Sequence, residues 1–153
     1  MDLDRHFTAT GIILHNRRTL LIEHAKLGWW LPPGGHLEPN EDPVQAVLRE
    51  VAEETGLECA LLAENRFAHE AVQVLPVPFT IQIEDVTENG GVAQHIDFIY
   101  VLRPVSDPDA VLPQEAESTN WRWVPVEEVS GLVTAPELPD LIRSALAGVL
   151  CRR

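Results

Sequence analysis

The sequence predicts an α/β fold in which a central sheet carries helices on its faces. Three observations support it: several short runs are rich in apolar and β-branched residues, one strongly helical pattern interrupts them, and an amphipathic pattern closes the chain. The chain has 153 residues, of which 45% are hydrophobic, and this suits one hydrophobic core. We therefore expect residues 1–153 to form a single domain.

The chain opens with strand patterns. Phe7–His15 is rich in apolar and β-branched residues, and Thr19–His24 repeats that pattern after a short polar turn, so the two runs predict a hairpin. Trp29–Pro32 is short and aromatic, and we expect it to be extended because a residue before proline avoids the helical region.

The next element is a helix with signals at both ends. Asp42 is a typical N-cap, Pro43 suits the first helical position, and Gln45 completes a capping box. Gly56 is expected to end the helix in the left-handed conformation. The predicted apolar face consists of Val44, Val47, Leu48, Val51 and Thr55.

Further strands and a second helix follow. Glu88–Gly91 is a strong turn signal. Pro136–Leu150 places its apolar residues on one stripe, which predicts a closing amphipathic helix. The strand-like runs between the two helices are Cys59–Glu70, Phe79–Val86, His95–Pro104 and Trp121–Val129.

Acidic residues outnumber basic ones. Asp and Glu total 24 against 11 for Lys and Arg, and the formal net charge is −13. Such a surface does not suit extended binding to nucleic acid, which requires basic side chains. It would also repel a polyphosphate, unless a bound divalent cation reversed the local charge. Alternatively, the acidic excess only favours solubility.

The sequence also bears on location. No apolar run approaches the roughly 18 residues of a membrane-spanning helix. The first residues lack the basic and apolar regions of an export signal. Cys59 and Cys151 do not form a disulfide framework, so we expect reduced thiols in the cytoplasm.

Three glutamates share one turn of the first helix. Glu50, Glu53 and Glu54 are spaced so that their carboxylates converge, although like charges at this spacing repel by roughly 0.2–0.5 kcal/mol per pair. Mg²⁺ prefers hard oxygen ligands and is commonly held by one or two carboxylates. Arg49 could pair with one carboxylate and fix it. Small Ala46 is expected on the same face as these glutamates. The alternative to a metal site is a solvated polar face.

The loop before this helix adds a second feature. Gly34 and Gly35 let the backbone bend and approach a ligand closely. The free N–H groups at the start of the helix would suit an anion. Loop, helix and carboxylates together indicate a place for a metal-bound phosphate chain, whereas a glycine pair alone would indicate only a turn.

The order of these residues resembles the signature of the Nudix hydrolases. From Gly35 the chain follows G-x5-E-x7-R-E-U-x-E-E-x-G-U, with U aliphatic, and ends the pattern at Leu57. We refer to Gly35–Leu57 as the Nudix box. The resemblance implies a Nudix-type α/β/α sandwich with a central mixed β-sheet, a Nudix loop and helix, and a C-terminal helix.

The resemblance implies an enzyme that hydrolyses the pyrophosphate bond of a nucleoside diphosphate linked to another moiety X. Its cofactor would be Mg²⁺, or Mn²⁺ in some members. On this chain, Glu53 and Glu54 would be the principal metal ligands, and Glu50 a further ligand or the general base. Arg49 and Glu41 would orient the acidic side chains. The predicted catalytic group is thus Arg49, Glu50, Glu53 and Glu54.

The remaining site residues are also expectations from the resemblance. The carbonyl of Gly34 would be a metal ligand, with Gly35 as the alternative. An additional acidic ligand would come from the loop before the last strand, where Glu117 is favoured over Glu115. Four side chains are candidates for contact with the substrate, namely His36, His69, His95 and Phe67. The alternative is that they only pack within the fold.

The Nudix box does not identify the moiety X. The downstream proline or tyrosine that marks some subfamilies is missing from Val72–Leu75. Excluding the subfamilies that carry these markers favours a nucleoside triphosphate or a small nucleotide derivative as the substrate. The alternative is a nucleotide-binding sensor that kept the fold without turnover, although such a protein would usually have lost box acids. A homodimer is compatible with the resemblance.

Overall fold

The structure is a computed structural model that describes residues 3–113 and 118–152. Within these residues the chain forms an eight-stranded sheet, two α-helices and one 3₁₀ helix. The strands are β1 (Arg5–His15), β2 (Arg18–His24), β3 (Trp30–Leu31), β4 (Gly34–His36), β5 (Cys59–Leu61), β6 (Thr80–Glu88), β7 (Gly91–Pro104) and β8 (Ser118–Pro125). The helices are α1 (Pro43–Thr55), the 3₁₀ helix (Val126–Gly131) and α2 (Leu138–Leu150).

The sheet is mixed, as predicted. β1 runs parallel to β7, and it pairs antiparallel with β2 and β4. β7 pairs antiparallel with β5 and β6, while β2 pairs antiparallel with β3 and β8. β1 and β7 are therefore the central pair, and β4, which carries the two glycines, lies directly beside β1.

The helices cover opposite faces of this sheet. Ile12 of β1 packs with Ile142 of α2 in one apolar cluster, whereas the next residue, Ile13, packs with Val47 of α1 in another. Side chains alternate between the two faces of a strand, so neighbouring residues of β1 belong to the two halves of the core. The predicted arrangement of helix, sheet and helix is confirmed.

Local signals predicted the ends of α1 correctly. The Asp42 carboxylate accepts the N–H of Gln45 at 2.8 Å, and the Gln45 side chain accepts the N–H of Asp42 at 3.0 Å. Gly56 ends the helix with a φ of 71°, in the left-handed region where glycine is favoured. The turn of Glu88–Gly91 is also present, with positive φ at Asn89 and Gly90.

Four sequence predictions differ from the structure. The run Cys59–Glu70 is a strand only over Cys59–Leu61. β5 and β6 together occupy one side of β7, and β1 occupies the other, so no length of β7 remains for a longer strand to pair with.

The run Trp121–Val129 becomes helical after Pro125, and the closing helix begins at Leu138. Ala46, predicted on the polar face, is fully buried.

Within the described residues, no helix is both long enough and apolar enough to span a lipid bilayer.

Candidate active site

The two glycines bring the loop into contact with the glutamates of α1. Pairing of β4 with β1 places Gly34 opposite Thr10 and Gly35 opposite Ala9. The N–H of Gly34 donates to Glu54 Oε1 at 3.1 Å. A Cβ atom added to Gly35 would lie 2.4 Å from Glu50 Oε1. The loop backbone therefore rests directly on two of the predicted catalytic carboxylates.

Arg49 joins the acidic side chains into one network. Its Nε and Nη2 atoms donate to the two oxygens of Glu41 at 2.7 and 2.9 Å. Its Nη1 atom donates to Glu50 at 2.8 Å and to Glu53 at 3.2 Å, and Nη2 also donates to the backbone carbonyl of His36 at 3.0 Å. A guanidinium can hold several carboxylates in fixed directions because its donors form a rigid fork.

Charge and burial in this network are coupled. The hydrogen bond from Arg49 holds the pKa of Glu41 below its ordinary value. Hydrogen bonding to Glu41, together with the carboxylate of Glu50, raises the pKa of Arg49, so the guanidinium stays charged. Only 13% of the Glu50 side chain and 22% of the Arg49 side chain are exposed. A solvated polar face, the alternative to a metal site, does not describe these two residues.

One of the first N–H groups of α1, which were expected to suit an anion, is already bound within the chain. Asp42 caps the helix, and its carboxylate takes the N–H of Gln45. A negatively charged cap at this end also opposes a second negative group there. The acidic network lies further along the helix, between Arg49 and Glu54.

A buried carboxyl group lies beside the glycine loop. Asp97 of β7 accepts hydrogen bonds from the hydroxyls of Thr8 at 3.0 Å and Thr10 at 2.8 Å. Burial, reinforced by the nearby carboxylate of Glu84, raises its pKa to about 7. Thr10 pairs with Gly34, so this group is close to the loop. Asp97 was not predicted as a site residue, although an aspartate inside the apolar run His95–Pro104 is a usable signal.

Two of the predicted histidines meet at the other end of β4. The ring centroids of His36 and His95 are 4.9 Å apart. His6 and Glu88 complete a group whose potential ligand atoms all lie within 4.8 Å of one another. We call His6, His36, Glu88 and His95 the histidine cluster. His6 and Glu88 were not predicted as site residues, because their proximity to His36 and His95 depends on the register of distant strands.

Phe67 and His69 have a different setting. They stack on each other with ring centroids 6.4 Å apart, in the irregular segment after β5, where both side chains are exposed. The strand that was expected to orient His69 is not there, so the prediction of substrate contact loses its structural reason. Glu115 and Glu117 lie outside the described residues.

Comparison with known proteins assigns the family. The family model described as the NUDIX domain matches residues 5–145. The chain belongs to the Nudix family. It is a Nudix hydrolase, and several of its relatives are named as pyrophosphohydrolases or diphosphatases.

The similarity to individual Nudix relatives covers most of the chain. The asymmetrical bis(5'-nucleosyl)-tetraphosphatase of Caenorhabditis elegans is 26% identical over 141 residues, covering 88% of this chain and 91% of the relative. The RNA pyrophosphohydrolase of Erythrobacter litoralis is 25% identical over 141 residues, covering 84% of this chain and 82% of the relative. The crystal structure of a NUDIX-family hydrolase from Clostridium perfringens superposes with a TM-score of 0.81 at 29% identity, covering 96% of this chain and 99% of that one.

Proposed function

We propose that this Nudix hydrolase cleaves the pyrophosphate bond of a nucleoside diphosphate linked to a moiety X, with Mg²⁺ or Mn²⁺ as its cofactor. The favoured substrate is a nucleoside triphosphate or a small nucleotide derivative. The observation that supports it best is the contact of the Gly34–Gly35 backbone with Glu54 and Glu50. This contact gathers hard oxygen donors at one place.

The donor set fits such a cation. Mg²⁺ takes oxygen ligands, keeps several waters, and is bound through one or two carboxylates together with substrate phosphates. A bound ion would neutralise phosphate charge and lower the pKa of a coordinated water. The residues proposed to hold it are Gly34 through its carbonyl, Glu50, Glu53, Glu54 and Glu117.

The other box residues position these donors. Arg49 binds Glu50 Oε1 at 2.8 Å, which fixes the plane of that carboxylate. Glu50 Oε2 is then the atom we propose to accept the proton of the attacking water, with Glu53 and Glu54 as the alternative bases. Glu41 binds Arg49 through both oxygens and so sets the direction of the guanidinium. This division of roles relies on positioning and charge neutralisation, which dominate phosphoryl transfer.

The names of the relatives support a nucleotide substrate. The Caenorhabditis elegans relative is named for a bis-nucleosyl tetraphosphate. The 8-oxo-dGTP diphosphatase of Proteus vulgaris is 40% identical over 70 residues, which cover 40% of this chain and 62% of the relative. One human relative, 28% identical over 116 residues, is instead named for diphosphoinositol polyphosphates. A substrate panel should therefore include both chemical classes.

The deciding experiment is a hydrolysis screen with Mg²⁺. The panel contains nucleoside triphosphates, oxidised nucleotides, dinucleoside polyphosphates and a diphosphoinositol polyphosphate, and products are identified by phosphorus NMR. Wild type is compared with Glu54→Gln and with Glu128→Gln, which changes an exposed glutamate outside the box. We expect hydrolysis that EDTA abolishes, a loss of orders of magnitude in Glu54→Gln without loss of folding, and an unchanged rate in Glu128→Gln.

Two results would contradict the proposal. If Glu54→Gln hydrolysed at the wild-type rate, the assignment of the site would be wrong. If the wild type bound nucleotides tightly but released no product, the chain would be a sensor.

The remaining predictions concern organisation. We propose that residues 1–153 act as one catalytic domain, which is supported by a family match over residues 5–145. A cytoplasmic location is supported by Cys59 and Cys151, which are both free thiols. The homodimer stays a prediction, which light scattering in solution would test.

A further inference from the structure

The histidine cluster has the composition of a second cation site. Three imidazoles converge on the single carboxylate of Glu88. His95 Nε2 lies 2.7 Å and His36 Nε2 lies 3.3 Å from Glu88 Oε1, while His6 Nδ1 lies 3.1 Å from Glu88 Oε2. Imidazole nitrogens are preferred by Zn²⁺, Cu²⁺ and Ni²⁺, whereas the all-oxygen donors of the Nudix box suit Mg²⁺.

The spacing fits a four-coordinate ion. Ligand atoms about 2.0–2.1 Å from a tetrahedral Zn²⁺ lie about 3.4 Å from one another. The potential ligand atoms here all lie within 4.8 Å of one another, and the three contacts to Glu88 are already 2.7, 3.1 and 3.3 Å. Because the longest separation is at most 4.8 Å, no pair of ligand atoms would have to approach by more than about 1.4 Å to reach this spacing.

The backbone around the cluster is held by the sheet. His6 of β1 is directly paired with His95 of β7, and Glu88 lies at the tight turn that joins β6 to β7. His36 is held by the pairing of β4 with β1. The four side chains therefore come from three separate parts of the chain that register brings together, which is how a rigid site is built on strands.

A partner outside the cluster orients one of the ligands. Asp4 Oδ1 lies 2.8 Å from His6 Nε2, on the opposite side of the ring from Glu88. Metal-binding histidines usually donate their second ring N–H to a carboxylate or carbonyl, which fixes the tautomer and directs the other nitrogen at the ion. The contact between Asp4 and His6 has this arrangement.

The cluster is also accessible. The side chain of His36 is 50% exposed, whereas those of Glu88 and His95 are 23% and 17% exposed. An ion could therefore enter past His36 and meet ligands that are largely shielded from water.

We propose that His6, His36, Glu88 and His95 bind one transition-metal cation of the Zn²⁺ type, at a site distinct from the carboxylates of the Nudix box. The ion would join β1, β4 and the β6–β7 turn. It would also restrain the loop, because the carbonyl of His36 accepts a hydrogen bond from Arg49. The proposal does not depend on which substrate the enzyme hydrolyses.

Cobalt substitution tests the proposal without an activity assay. The full chain is stripped of metal and titrated with Co²⁺, which absorbs strongly in the visible range only when its coordination number is four or five. We expect one such site per chain, displacement of Co²⁺ by Zn²⁺, and a higher melting temperature with Zn²⁺ because the ion binds the folded state. His95→Ala should abolish the absorption. Glu88→Gln should weaken Co²⁺ binding, and it guards against misfolding because it keeps the shape of the side chain.

Two controls separate this site from others. His24→Ala removes an exposed histidine outside the cluster, and Glu54→Gln alters the Nudix box, so both should keep the absorption. Asp4→Asn should weaken Co²⁺ binding by about 10–100-fold, the usual effect of losing a carboxylate behind a ligating histidine. Equal Co²⁺ binding by wild type and His95→Ala would overturn the proposal, as would a wild type that shows only the weak bands of six-coordinate Co²⁺.

Discussion

The close approach of the loop to α1 predicts that Gly35→Ala inactivates the enzyme without unfolding it. A Cβ atom at this position would lie 2.4 Å from Oε1 and 2.6 Å from Cδ of Glu50, whereas ordinary contacts begin at 3.4 Å. The carboxylate would have to withdraw by about 1 Å to restore such contacts, and it would leave its position beside Arg49. The methyl group thus displaces a proposed catalytic group directly.

The expected effects on rate and on stability differ in size. A displacement of about 1 Å in a catalytic constellation can cost about 100-fold in rate, which corresponds to about 2.7 kcal/mol in the activation barrier. The free energy of unfolding should change by about 1 kcal/mol or less. Glu50 can move because its carboxylate is the end of a flexible side chain, and Gly35 is not among the glycines with positive φ. Replacing glycine by alanine also restricts the unfolded chain, which stabilises a protein by about 0.4–1 kcal/mol.

The assay is steady-state kinetics on a hydrolysed nucleotide, combined with urea denaturation of the same preparations. Gly131→Ala is the matched control, because a Cβ atom there would meet nothing within 4 Å. We expect kcat to fall in Gly35→Ala only, with similar unfolding midpoints for all three proteins. A Gly35→Ala variant with kcat within a factor of two of wild type would show that the position of Glu50 does not matter for the reaction.

Two further predictions concern charge. Because the folded pKa of Asp97 is about 7 against an ordinary 3.8, its ionisation lowers stability increasingly as pH rises from about 4 to about 7. Asp97→Asn should therefore raise the urea midpoint of unfolding at pH 8 and change it little at pH 4, and equal unfolding midpoints at pH 8 would refute this. Arg49→Lys keeps the charge but loses the planar guanidinium that binds both oxygens of Glu41. We therefore expect kcat to fall at least about tenfold and the free energy of unfolding to fall by about 1.5–3 kcal/mol. Steady-state kinetics and urea denaturation measure the two effects.

The features that sequence predicted correctly depend on neighbouring residues. Asp42, Gln45 and Gly56 determine the ends of α1 through contacts within a few positions of the chain. The spacing of Glu50, Glu53 and Glu54 likewise puts them on one side of the helix whatever the rest of the fold does. Such features can be predicted because the physical cause and its effect lie within one or two turns of helix.

The features that were missed depend on pairing between distant parts of the chain. His6 and Glu88 are 82 positions apart and meet only because β1 is parallel to β7 in one particular register. Ala46 is buried because it packs in the same apolar cluster as Ala9 and Ile13 of β1, which is a contact between separate parts of the chain. The error in the length of the strand predicted over Cys59–Glu70 has the same origin, since an extended pattern forms a strand only where another strand has a free edge. No local pattern contains this information.

The crowding of acidic side chains around Arg49 is consistent with a fold that holds carboxylates ready for a cation. The guanidinium of Arg49 donates hydrogen bonds to three carboxylates, those of Glu41, Glu50 and Glu53. Glu41 also accepts the N–H of Glu38, and Glu54 accepts that of Gly34. Hydrogen bonding to Arg49 fixes the directions of the three carboxylates, yet a single charge of +1 cannot balance three of them, and a divalent cation would supply much of the difference. The acidic excess that repels a free polyphosphate thus favours recruitment of the ion that would attract one.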